Sequence, residues 1–245
     1  MRAGPERVVL KKGHGFRLIC VPFAGGSARS FVRLSQHTPE DWHVTAVQPP
    51  AGQGPTDAEA LAGFYLDLLS DALTGPGLLL GHSLGAVVAY RMARLRPPSP
   101  DDDLHLVMSA PPDPGLSARS ILDLDDRALL AEAARRGMLP DLRVSEDFAL
   151  RFVLPHLRAD LGLLRDGWEP DPVDVPVHLL GGSLDTASPP ATVQRLEEAL
   201  KPRSTRTVEG GHLYIVDQPA RTADALVDIG RRITDGTPDA RDAAR

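Results

Sequence analysis

The stretch Gly77-Leu78-Leu79-Leu80-Gly81-His82-Ser83-Leu84-Gly85-Ala86-Val87-Val88-Ala89-Tyr90 decides the fold. It opens on a short apolar run of the kind that forms a buried strand, and from Ala86 to Leu95 it carries a helical pattern that Pro97-Pro98 ends. Between them the chain must reverse within Gly81-His82-Ser83-Leu84-Gly85, a G-x-S-x-G pattern. A serine on so sharp a turn takes strained dihedral angles, and glycines on either side remove the Cβ atoms that would strike the neighbouring strand and helix. The strain presents the serine Oγ at a helix N-terminus, where the backbone N–H of Leu84 is free to face a developing anion.

Outward from this turn, apolar β-branched runs alternate with helical patterns. Phe16 to Val21, Val44 to Val47, Leu78 to Leu80, Leu104 to Met108, Val175 to Leu180 and Thr205 to Val208 read as strands. Asp57 caps a helix whose Leu61, Phe64, Tyr65, Leu68, Leu69 and Leu73 recur at helical spacing before Gly75-Pro76 stops it, and a further helix runs from about Ala220 to Ile233. Such alternation predicts an α/β domain: a mostly parallel central sheet flanked by helices. The core is expected to comprise residues 1–115 and 175–233. Residues 116–174 break the rhythm with helices and no strand, a candidate helical lid insertion or simply additional helices on the sheet. Within it Asp125 caps one helix, and Ser145 caps another that Pro155 is expected to interrupt. Residues 234–245 are rich in Asp, Ala and Arg without apolar periodicity and read as a disordered tail.

Composition excludes several classes of function. A chain of 245 residues suits one domain, and a net charge of −6 without a clustered basic face argues against nucleic acid. Cys20, the single cysteine, lies in an apolar run and reads as a small buried hydrophobe. The N-terminus lacks a signal-peptide apolar run, and no segment approaches the ~20 apolar residues of a membrane span, so a cytoplasmic protein without a membrane role is expected. No H-E-x-x-H, paired cysteines or dinucleotide fingerprint is present, and neither metal nor organic cofactor is expected.

A serine hydroxyl needs a base to become nucleophilic, and in a strand–turn–helix setting of this kind the order along the chain is Ser, then Asp or Glu, then His. His212, in Glu209-Gly210-Gly211-His212-Leu213, follows the last strand and precedes the last helix, where a loop reaches over the sheet's carboxyl edge. His82 neighbours the serine on a tight turn and is expected to point elsewhere, His178 lies within a strand, and His14, His37, His43, His105 and His156 read as surface residues. For the orienting acid two aspartates follow suitable strands, Asp113 and Asp185, and the glycine-containing turn Gly181-Gly182-Ser183-Leu184-Asp185 favours the second. The small residues of Pro22-Phe23-Ala24-Gly25-Gly26-Ser27 let backbone N–H groups approach a ligand, and the N–H of Ala24 is expected to join that of Leu84 as the oxyanion donors. A phosphate-binding loop is disfavoured, since neither G-x-G-x-x-G nor G-x-x-x-x-G-K-[ST] occurs there.

Together these segments resemble the type II thioesterases of polyketide and nonribosomal peptide biosynthesis, members of the α/β-hydrolase superfamily. Pro22-Phe23-Ala24-Gly25-Gly26 is similar to the family's P-[YF]-A-G-G, Gly81-His82-Ser83-Leu84-Gly85 to G-H-S-[ML]-G, and Gly210-Gly211-His212 to the G-G-H-F segment. Leu154-Pro155-His156-Leu157-Arg158-Ala159-Asp160 is similar to the rarer lid sequence L-P-x-L-R-A-D. Two departures stand out: Gln48-Pro49-Pro50-Ala51-Gly52-Gln53-Gly54 replaces Q-L-P-G-R-G and loses its arginine, and Thr186 replaces the proline that usually follows the acid.

The resemblance implies an α/β-hydrolase fold, a Ser83–His212–Asp185 triad, and an oxyanion hole from the N–H groups of Ala24 and Leu84. It implies hydrolysis of acyl groups from the phosphopantetheine thiol of acyl or peptidyl carrier protein domains, with no cofactor beyond the substrate's own phosphopantetheine; a monomer is expected. Arg135, Arg136, Arg143, Arg151, Arg158 and Arg165 could form a basic docking patch or merely solvate helix faces. The same triad would serve another serine esterase or an acyltransferase, and the fold could also act as a non-catalytic carrier-binding module.

Overall fold

The computed structural model describes residues 5–50, 54–97, 103–115, 117–140 and 144–236. Seven strands form one sheet: β1 (Glu6–Lys11), β2 (Arg17–Val21), β3 (His43–Gln48), β4 (Gly77–His82), β5 (Leu104–Ser109), β6 (Val177–Gly182) and β7 (Ser204–Val208). Their order is β1-β3-β2-β4-β5-β6-β7, and every neighbouring pair is parallel except β1 with β3. Helices of nine residues or more are α1 (Ala58–Leu69), α2 (Leu84–Leu95), α3 (Asp126–Arg135), α4 (Leu154–Gly162), α5 (Pro190–Leu200) and α6 (Pro219–Thr234). This is the α/β-hydrolase architecture, with crossover helices on both faces of a largely parallel sheet.

Alternation along the strands divides the core into two layers. Ile19, Leu79, Leu106 and Leu179 face one side and pack with Leu61, Tyr65 and Leu69 of α1 and Val87 and Tyr90 of α2. Leu18, Cys20, Leu78, Leu80, Val107 and Leu180 face the other, against Ala223, Leu226 and Ile229 of α6. Cys20 lies in this second layer, where burial pushes its thiol pKa up.

Two elements are not evident from periodicity along the chain. Strand β1 (ERVVLK) has no fully buried residue, because it is an antiparallel edge strand paired with β3 alone, although Val8 and Leu10 pack against the core. Helix α5 provides the crossover that parallel β6 and β7 require, and its sequence hides behind Pro189-Pro190, which start the helix rather than break it.

Asp57 and Asp125 cap α1 and α3 by accepting from the Ala60 and Ala128 N–H groups at 2.8 and 2.9 Å. Ser145 caps a third helical stretch through the Phe148 N–H at 3.2 Å. There Pro155 does not interrupt the helix as expected. The chain runs from Glu146–Phe148 through a π-helical Ala149–Val153 into α4, with Pro155 in the first turn of α4. A proline has no N–H to donate, and the wide π turn before it accommodates the missing bond without ending the helical path. Leu129, Leu154 and Leu157 of this insertion pack into the core layer shared with α1 and α2. At the other end of the chain α6 includes Thr234, the first residue of the expected tail, and residues 237–245 lie outside those described.

His178 of β6 is 2 % exposed. Its Nδ1 lies 2.7 Å from Ser204 Oγ and its Nε2 2.9 Å from Nδ1 of His105, which stacks on it. Burial, then the nearby His105, Arg206 and Arg203, press its pKa from 6.5 down to about 3. The unfolded chain therefore binds a proton that the folded chain refuses, and the stabilisation present above the ordinary pKa is lost as pH falls below it. Urea titrations at pH 7, 6 and 5 are expected to show unfolding free energy declining on the acid side, with this one group contributing up to about 1.4 kcal/mol per pH unit; His178→Asn should flatten the decline by about one proton.

Candidate active site

Ser83 sits between β4 and α2 with φ 54° and ψ −120°, a backbone conformation that few non-glycine residues adopt. Its N–H is held by the Ser109 carbonyl at 2.8 Å. The flanking glycines are required by distance. A Cβ on Gly81 would stand 2.0 Å from the Gly85 carbonyl oxygen, and one on Gly85 would stand 2.3 Å from that of Val21. With both positions bare, the turn closes against β2 and α2 and lifts Oγ above the sheet's carboxyl edge.

His212 enters from the loop after β7, and its Nε2 lies 2.9 Å from Ser83 Oγ. Its Nδ1 lies 2.9 Å from Asp185 Oδ2, at the end of β6. The other carboxylate oxygen of Asp185 accepts the N–H groups of Ala187 and Ser188, each at 2.8 Å. All three side chains are nearly buried: Ser83 is 7 %, His212 4 % and Asp185 3 % exposed, so their mutual bonds are little screened by water. Asp113, the competing acid, instead forms an ion pair with Arg195. Thr186 does not disturb the acid's loop, since the two N–H bonds on Asp185 come directly after it.

Ala24 and Leu84 both line a cavity of about 420 Å³. Among the described residues neither N–H has a protein acceptor, so both remain available to a ligand. Apolar side chains line most of this cavity, including Val21, Leu61, Val88, Leu139, Val153 and Leu163. Residues 51–53, where the expected arginine is missing, lie outside those described; Pro50 and Gly54 on either side line the cavity.

Across α/β-enzymes of this design, a serine hydrogen-bonded to histidine and histidine to a buried carboxylate, beside two free N–H groups, is suited to acyl transfer through a covalent intermediate. The family model for the thioesterase domain matches residues 16–229, most of the described chain. The chain belongs to the thioesterase family. This thioesterase is 32 % identical to thioesterase PikA5 of Streptomyces venezuelae, with 92 % of this chain and 84 % of that one covered. Among solved structures it resembles RedJ, a thioesterase from the prodiginine pathway of Streptomyces coelicolor, with 29 % identity, a TM-score of 0.74 and 88 % and 89 % of the two chains covered. It also resembles BorB, a type II thioesterase from the borrelidin cluster, with 26 % identity, a TM-score of 0.76 and coverage of 92 % and 97 %.

Asp160 of α4 was not among the expected site residues. Its Oδ2 accepts the Gly25 N–H at 2.7 Å and so ties the helical insertion to the loop that carries Ala24. Burial pushes its carboxyl pKa up, and its charge adds to the burial that raises the phenol of Tyr65. The L-R-A-D segment marks the residue in the sequence, but its partner is 135 positions away.

Three of the insertion's arginines bond within the insertion. Arg135 and Arg136 share Glu132, holding its carboxyl at about 2, and Arg158 bonds the Leu122 and Leu124 carbonyls and Asp126. Arg151 lies over the Phe152 ring at 5.3 Å, while Arg143 is outside the described residues. Among the described residues no group of His, Cys, Asp and Glu could hold a metal ion, and no helix is long and apolar enough to cross a membrane.

Proposed function

We propose that this thioesterase is a type II enzyme that hydrolyses acyl groups from the phosphopantetheine arm of carrier domains in a polyketide or nonribosomal peptide assembly line. The observation that carries the reading is the Ser83–His212–Asp185 chain, with both links at 2.9 Å, set beside an apolar cavity of acyl dimensions. Its relatives from the gramicidin S and borrelidin pathways support the choice of carrier-bound substrate.

In this reading His212 Nε2 takes the Ser83 proton as Oγ attacks the thioester carbonyl, and Asp185 holds the imidazole with Nδ1 protonated. The N–H groups of Ala24 and Leu84 receive the oxyanion. Collapse of the tetrahedral intermediate expels the thiolate, which takes the proton from His212; water activated by the same imidazole then releases the acid. Residues 116–174 act as the lid over the acyl cavity, with Phe152, Val153 and Leu163 contributing its roof. Asp160 latches that lid to the oxyanion loop.

The test is hydrolysis of acetyl and longer acyl groups from a phosphopantetheinylated carrier protein, followed by intact-protein mass spectrometry. Loss of the acyl mass with recovery of the free thiol is the expected result. Turnover of 4-nitrophenyl esters without any carrier unloading would replace the proposal with a simple esterase.

A further inference from the structure

His82 precedes the nucleophile, and its place on a tight turn predicts only that it points away from the site. It is fully buried, and it touches the loop that carries His212 and the loop that carries Ala24. Its Nε2 lies 2.9 Å from the backbone carbonyl oxygen of His212, and its Nδ1 2.9 Å from Ser109 Oγ. Ser109 Oγ in turn lies 2.5 Å from the Tyr214 hydroxyl. The ring also packs edge-on against Phe23, in the loop bearing Ala24, with centroids 5.7 Å apart.

The direction of these bonds follows from the groups. A carbonyl oxygen only accepts, so His82 carries its proton on Nε2 and donates it to His212. Burial, and then the nearby imidazole of His212, hold His82 far below its usual pKa, so it is neutral and Nδ1 is an acceptor. Ser109 must therefore donate to His82, and Tyr214 must donate its single hydroxyl proton to Ser109. The Tyr214 hydroxyl also lies 3.1 Å from the Leu180 carbonyl, and its one proton goes to the nearer Ser109 Oγ, whose own proton is on His82. Ser109 closes the circuit through its backbone, whose carbonyl holds the Ser83 N–H.

We infer that His82 is a positioning residue that sets the separation of Ser83 and His212, with Ser109 and Tyr214 fixing its tautomer. The inference rests on Ser83 and His212 being nucleophile and base. An apolar replacement would leave the His212 carbonyl unpaired inside the protein and let its loop move, and a misplacement of about 1 Å costs on the order of 100-fold in rate.

The experiment compares His82→Leu, His82→Gln and His82→Asn with wild type. It reads kcat and KM for an acyl-pantetheine thioester, melting temperature, and the rate at which an alkyl fluorophosphonate labels Ser83. Glutamine can place an N–H where Nε2 donates; asparagine reaches only the Nδ1 position. Expected is a kcat about 100-fold down in His82→Leu with KM within about twofold, a parallel fall in labelling, and His82→Gln recovering at least about tenfold over His82→Asn. If His82→Leu does not fold, the Gln–Asn pair decides. Equal loss in folded Gln and Asn variants, or full labelling and turnover in His82→Leu, would overturn the clamp. Wild type that is labelled but hydrolyses no thioester would instead count against the thioesterase substrate, with the labelling rates still judging the clamp.

Discussion

Ser83→Ala is expected to reduce kcat on the order of 10⁶-fold, to the residual rate that binding and the oxyanion donors sustain alone. The size follows from the chemistry: without Oγ no acyl-enzyme forms, and His212 has no nucleophile to deprotonate. The fold should be untouched, because the hydroxyl's bond is to His212 while the turn is held by the Ser83 N–H on Ser109 and by close packing at Gly81 and Gly85. Alanine has to adopt the same positive φ, which serine already tolerates here. Single-turnover mass spectrometry checks this, since wild type should show an acyl adduct on the enzyme and Ser83→Ala none, with both melting together. An unreduced rate in a properly folded variant would remove Ser83 as the nucleophile.

The second large effect is Asp185→Asn, for which a fall in kcat of about 10⁴-fold is expected. The surroundings of Asp185 dictate how asparagine would sit. One carboxylate oxygen accepts the Ala187 and Ser188 N–H groups, so the amide oxygen must take that place and the NH₂ must face His212 Nδ1. An NH₂ there donates, which makes Nδ1 the acceptor and moves the ring proton to Nε2, the atom that should receive the proton of Ser83. The imidazole keeps its place and loses its tautomer. Steady-state kinetics should show a fall in kcat with little change in KM, whereas Asp113→Asn should leave kcat near wild type because Asp113 pairs with Arg195 instead of His212.

Much of this was legible along the chain because the decisive interactions there are local. Strand, sharp turn and helix around Ser83 lie within about twenty residues, and the glycines answer to clashes with their own immediate neighbours and β2. The central strands announce themselves because a strand covered on both faces must be apolar throughout. β1 does not, because an edge strand alternates Val8 and Leu10 toward the core with charged and exposed positions in a run of only three apolar residues, and α5 is concealed by prolines that start a helix or break one according to the side on which the helical residues lie. The same ambiguity attends Pro155, which begins α4 after a π turn.

The sequence by itself determined the α/β-hydrolase class, the sharp glycine-flanked turn at Ser83, and a short set of candidate acids and bases in chain order. It left Asp113 and Asp185 both in place, since each follows a strand and a turn; only the tertiary structure set one against His212 and the other against Arg195. The tertiary structure alone also supplied the partner His82 meets when it points away from the serine, the carbonyl of a residue 130 positions away, and tied Asp160 to Gly25. The physical reason is common to all of these. A hydrogen bond is made by atoms within about 3 Å, and which polar groups meet at that distance is decided by the packing of strands and loops far apart in the chain, whereas strands, helices and sharp turns are selected by residues that are already neighbours.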